Sequence, residues 1–211
     1  MSKIFFSPEQ CEHTDLKIFS FGSGMLSNEI VSHLDISLGK HETLRFSDGE
    51  INMRLLDSVS GHKVFIIKTF EDQKINDGLM ELMLAVSCMK KAGATAVVAI
   101  IPYFPYSRMH STRLTDSAQD DGSTKTFFAA DIAKMIESCG CDMIITMNAQ
   151  LHEMKGFTNR CTFINLDCSD LIVPYLIHKE ISHPVIVGTS LNPFHSFHVQ
   201  SLKDTFRYFD L

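Results

Sequence analysis

The sequence predicts an α/β fold, a three-layer sandwich in which helices cover both faces of a parallel sheet. Two observations carry this. Short apolar, β-branched runs alternate along the chain with stretches of amphipathic helical spacing, the pattern of successive βαβ units. Runs such as VFII, AVVAII and MIIT are apolar without alternation, as strands buried on both faces must be.

Strands are expected at residues 16–21, 42–46, 51–55, 64–68, 96–102, 143–147, 162–166 and 185–187. Between them, a helix is expected from Gly24 with Ser23 as N-cap, placing Met25, Ile30, Val31 and Leu34 on one side. A second runs over 77–92, where Leu79, Met80, Leu82, Met83, Val86 and Met89 form a wide apolar stripe ended by Gly93. A third covers 124–139 with Gly140 as terminator, and 171–179 makes a fourth despite Pro174. Residues 45–55 read differently, as alternation interrupted by Ser47-Asp48-Gly49, which predicts a hairpin-type turn at an edge. The polar stretch 111–122 predicts a mobile surface loop, and 188–211 shows no convincing period.

The chain has 211 residues, 45% hydrophobic and 21% charged, which fits a globular domain rather than disorder or coiled coil. Its net charge of −6 provides no basic field for nucleic acid or acidic membrane. The absence of long apolar runs and of a signal-peptide pattern predicts a cytoplasmic protein. Six scattered cysteines without CxxC predict reduced, mostly buried thiols.

Several motifs invite a chemical reading. The turn Phe21-Gly-Ser-Gly-Met25 lies where phosphate turns occur, but Ser27 replaces the third glycine of a dinucleotide fingerprint, so a structural turn is preferred. No P-loop, H-E-x-x-H or G-x-S-x-G is present. His195-x-x-His198 has the spacing to grip a metal on a helix, but it lies in the C-terminal stretch without a convincing period, so a metal site is not preferred. Residues 101–108, IPYFPYSR, leave the C-terminal end of a buried strand, where parallel sheets bind ligands. There Tyr103, Phe104 and Tyr106 either stack a base or pack the loop root, and the sequence leaves the choice open.

The segments GKHETLRFSDGEI (39–51), VSGHKVFII (59–67), NDGLMEL (76–82) and IPYFPY (101–106), in this order, resemble the ribose-phosphate pyrophosphokinase (phosphoribosyl diphosphate synthetase) family. The resemblance covers roughly residues 16–187. It implies a type I phosphoribosyltransferase-like fold, with 16–160 as the amino-terminal domain and 161–211 as the start of a second, similar one. It also implies transfer of the β,γ-diphosphoryl group of ATP to C1 of ribose 5-phosphate with Mg²⁺, and a homo- or hetero-oligomer of family subunits. By the same resemblance Phe46 stacks on the adenine of a neighbouring subunit's ATP, Asp48 and Glu50 accept from its amino group, and Arg108 contacts the ATP phosphates.

Departures from the family pattern concern the metal end. Met147-Asn-Ala-Gln150 stands where the family has Met-Asp-Leu-His, leaving Gln150 at the position of the Mg²⁺-binding histidine and His152 as the nearest substitute. After Val187 the family's ribose-phosphate loop does not follow. The expectation is therefore an impaired, truncated or regulatory subunit with no assigned catalytic residue. The alternative is an active synthetase represented by an incomplete chain.

Overall fold

The computed structural model describes residues 15–70, 74–107, 128–149 and 156–179. Five strands, β1 (Leu16–Phe21), β4 (Lys63–Lys68), β5 (Ala96–Ile101), β6 (Met143–Met147) and β7 (Thr162–Leu166), form one sheet in that spatial order. Every neighbouring pair in it is parallel. Two further strands, β2 (His41–Arg45) and β3 (Ile51–Leu55), form an antiparallel hairpin inserted between β1 and β4 in the chain. The strand at 185–187, the polar stretch 111–122 and the two histidines at 195 and 198 lie outside the described residues. The fifth strand, beyond residue 160, is hydrogen-bonded into the same sheet as the other four.

Helices cover both faces. On one face α1 (Gly24–Leu34) sets Val31 against Ile18 and Ile67, with Ile30, Phe65 and Ile100 alongside. On the other, α2 (Ile75–Lys91) and α3 (Phe128–Ser138) bury Leu82, Val86, Met89, Ala133 and Ile136 against Phe19, Ile66, Val97, Ala99 and Ile144. Strand residues alternate between these two layers because successive side chains point to opposite faces. The three-layer expectation is thus met. A fourth helix, α4 (Ser169–His178), contains Pro174 and exposes Leu171 and Tyr175.

Element ends follow local chemistry. Ser23 caps α1 by accepting from the Met25 N–H, and Asp35 ends it in the left-handed region. At the other end of α2, Lys90 holds Asp142, whose Oδ2 also accepts from the Val97 N–H at 2.7 Å, joining the starts of β5 and β6. Among the described residues five cysteines are free thiols, with Cys141 and Cys161 buried. Hydrogen bonding to Cys141 and burial push the Cys161 thiol above the ordinary thiol range. No described helix is long and apolar enough to cross a membrane.

Candidate functional site

The hairpin projects from the C-terminal edge of the sheet, and its tip carries the residues that the sequence singles out. Past Arg45, Phe46 and Glu50 close the ladder, the Phe46 N–H donating to the Glu50 carbonyl at 2.9 Å, and the Gly49 N–H donates to the Phe46 carbonyl at 3.0 Å to make the turn. Gly49 takes a φ of +94°, and one Asp48 carboxylate oxygen accepts from the Glu50 N–H at 3.1 Å, an Asx turn that rigidifies the tip. Phe46 is 55% exposed, and Asp48 and Glu50 are exposed beside it. An apolar ring with two carboxylates on one polar turn is a surface for a flat, amino-bearing aromatic ligand.

The hairpin rests on the body through three contacts. Met53 and Leu55, on its inner face, pack against the core beneath α2. At the root, the His41 ring lies on Phe21 with centroids 4.0 Å apart and meets Phe19 edge-on at 6.3 Å. Burial lowers the His41 pKa, with Glu81 opposing the fall and Lys68 adding to it, so the ring is neutral near pH 7. Under it, Lys68 of β4 is 4% exposed, paired with Glu81 of α2 and set 5.7 Å from the centre of the Phe70 ring. Nearer the tip, Arg45 Nη1 meets Asp77 Oδ2 at 3.2 Å. Arg45, Lys68, Lys74, Asp77 and Glu81 line a small cleft of about 150 Å³ there.

The first turn of α2 also walls a larger cleft of about 470 Å³ lined by Lys74, Ile75, Asn76, Asp77 and Tyr106. The three aromatics after β5 divide their roles. Phe104 is buried and meets Phe163 edge-on at 5.5 Å, whereas Tyr106 lines the cleft and donates its hydroxyl to Asn76 Oδ1. Tyr103 is partly exposed. Tyr106 has a φ of +60°, an unfavourable conformation for a bulky residue, held by the Asn76 bond and by the Phe128 ring at 6.4 Å. Arg108 follows this loop but lies outside the described residues, as do Gln150 and His152. The structure therefore brings Phe46, Asp48 and Glu50 together and leaves the other three expected site residues undescribed.

Among the described residues no group of three or more His, Cys, Asp or Glu side chains is placed to hold a metal ion. Asn148, at the family's aspartate position, spends its Oδ1 on the Cys168 N–H at 3.0 Å, and Asn165 bonds both backbone groups of Ala149. These amides sew the end of β6 to β7 rather than facing a cation. The glycine-rich turn after β1 is likewise structural, for the Ser23 N–H donates to Thr69 Oγ1 at 2.7 Å and Ser23 caps α1.

Sequence reasoning missed Lys68, Glu81, His41 and the Arg45–Asp77 pair. The four-residue spacing of Asp77 and Glu81, which puts both on one helical face, was the available signal.

A parallel sheet with helices on both faces and a hairpin projecting at the strand C-termini defines a type I phosphoribosyltransferase-like α/β protein. The solved phosphoribosylpyrophosphate synthetase of Mycobacterium smegmatis superposes with a TM-score of 0.67 at 21% identity, over 78% of this chain and 52% of that one. The sequence model for the N-terminal domain of ribose phosphate pyrophosphokinase matches residues 16–140. The chain belongs to the ribose-phosphate pyrophosphokinase family. It is 35% identical over 176 residues to the ribose-phosphate pyrophosphokinase of Helicobacter hepaticus, covering 83% of this chain and 54% of the relative. To that of Buchnera aphidicola subsp. Acyrthosiphon pisum it is 32% identical over 178 residues, 84% and 54% of the two chains. The chain spans about half the length of these curated relatives.

Proposed function

We propose that this chain is a purine-gripping subunit of the cytoplasmic ribose-phosphate pyrophosphokinase machinery of nucleotide biosynthesis, impaired in its own transfer chemistry and acting in homo- or hetero-oligomers with family subunits. Its hairpin serves as a finger offered to the adenine of ATP in a neighbouring subunit. Phe46 stacks on the base while Asp48 and Glu50 accept from the exocyclic amine, and Arg108 faces the phosphates. The observation that carries the reading is the 55% exposure of Phe46 on a turn locked by its own backbone and Asp48. An exposed ring beside two carboxylates on a locked turn suits a ligand, and among the described residues no other ring packs on it.

Impairment is supported by Asn148, whose amide oxygen is committed to the Cys168 N–H where the family places an aspartate. A neutral amide turned to backbone is a poor partner for Mg²⁺ at ATP phosphates, so binding is retained and diphosphoryl transfer to ribose 5-phosphate is not.

Two measurements test this. Phe46→Ala should weaken ATP binding by isothermal titration calorimetry roughly 5- to 150-fold, the equivalent of ~1–3 kcal/mol of base stacking. Unchanged affinity would remove the finger from the site. Wild-type chain with ATP, Mg²⁺ and ribose 5-phosphate should form no AMP above the blank; steady AMP production would make it an active synthetase instead.

A further inference from the structure

A stacking finger is useful only when it is aimed, and an antiparallel two-stranded ribbon is marginal by itself in water. The ties that aim it are therefore functional. These are the packing of Met53 and Leu55 against the core and, at the root, His41 on Phe21, far from the tip along the strands. The Lys40 N–H to Asp57 Oδ2 bond at 2.8 Å joins the two ends of the hairpin to each other. The Glu42–Arg54 pair at 3.8 Å lies within the hairpin and fixes nothing to the body. Among the described residues, the one salt bridge that joins the hairpin to the body is Arg45–Asp77, one residue before Phe46.

We infer that Asp77 is a positioning residue for the purine finger, acting through Arg45 to set the direction of Phe46; the inference rests on the function proposed above. Asp77 occupies the first turn of α2, a helix seated in the core by Leu79, Leu82 and Val86, so it is a fixed point. Arg45 shares its small cleft with the cations of Lys68 and Lys74. Asp77 offsets their repulsion and holds the guanidinium against the helix, while Glu81, one turn on, is taken up by Lys68. Both side chains of the Arg45–Asp77 pair are about half exposed, 47% and 50%, so the pair contributes little to global stability. Its loss changes where the hairpin points rather than whether the domain folds. The same helical turn walls the larger cleft beside Tyr106, which ties the finger of one subunit to the geometry of that subunit's own cleft.

The test uses the full chain and four variants, Phe46→Ala, Asp77→Asn, Arg45→Asp and the swapped double Arg45→Asp with Asp77→Arg. ATP affinity, melting midpoint and amide exchange at Phe46 and Gly49 are measured for each. Asp77→Asn and Arg45→Asp should each weaken ATP binding roughly threefold to fivefold, with an unmoved midpoint and faster exchange at the two tip amides. The swapped pair should return affinity and exchange to within about twofold of wild type. Unchanged ATP affinity in Asp77→Asn, alongside weakened binding in Phe46→Ala, overturns the positioning role while leaving the finger intact. If Phe46→Ala itself binds ATP normally, the proposed function fails first. A lowered midpoint in Asp77→Asn that the swap does not recover makes Asp77 a folding residue and also overturns the inference.

Discussion

Lys68 shows at the scale of one residue how a charge is kept inside this domain. It stands at the end of an apolar run, is 4% exposed, and is tolerated because Glu81 and the Phe70 ring surround its ammonium. Removing one partner strands the other, so Lys68→Met should destabilise the fold by ~3 kcal/mol in urea unfolding. The double change Lys68→Met with Glu81→Leu should recover most of that loss, because two apolar side chains replace a desolvated pair. The sequence does not reveal this pair. A lysine closing a VFII run reads as a stem reaching for water, and its partner lies 13 positions away on another element. Phe46 was legible for the opposite reason. Its neighbours Ser47, Asp48, Gly49 and Glu50 are all polar or small, so no apolar face was available to bury the ring.

Among the elements, α3 is fixed at its C-terminal end by an inverted use of backbone donors. The Glu137 carboxylate accepts from the N–H groups of Arg160, Cys161 and Asn159, with 2.8 Å to Cys161 and 2.9 Å to Asn159, clasping the segment that leads into β7. These bonds, that of Arg160 first, hold the Glu137 pKa below its ordinary value against the opposing effect of desolvation. A carboxyl with a depressed folded-state pKa stabilises above its unfolded value of 4.5, and that contribution is lost as pH falls through the folded value. The urea midpoint of wild type should therefore drop more steeply below about pH 4.5 than that of Glu137→Gln, with the two curves converging in acid. Parallel curves would show that the clasp contributes nothing. Among the described residues element type was readable, but ends were less so. Periodicity starts the second helix at residue 77, whereas it begins at Ile75, and it extends the second strand to 46, whereas the strand ends at Arg45 and Phe46 is the residue from which the turn to Gly49 is bonded. Alternation of apolar residues records which way side chains point, not which carbonyl an N–H chooses.

For the whole molecule, the parallel sheet was predictable but its order was not. VFII, AVVAII and MIIT are chemically interchangeable, so nothing local says that β4 separates β1 from β5 or that the hairpin belongs to the first crossover. The site suffers from the same blindness, since Arg45–Asp77 and Tyr106–Asn76 join residues about thirty positions apart. One arrangement has a wider meaning. Along the outer margin of β1 the chain doubles back as a short strap, with a bridge between Ile18 and Leu38 and the Gly39 N–H donating to the Ile18 carbonyl at 2.7 Å. The strap fits because a Cβ on Gly39 would sit 2.5 Å from the Phe19 ring, a core side chain with nowhere to go. Gly39→Ala should lift the strap and lower the melting midpoint by several degrees, the equivalent of ~1–2 kcal/mol. It should also bare an open ladder, seen as thioflavin-positive material on incubation, whereas wild type stays clear. On this account the missing methyl group guards the marginal strand against recruiting strangers, and a single hydrogen in place of a carbon keeps the folded domain from seeding a fibril.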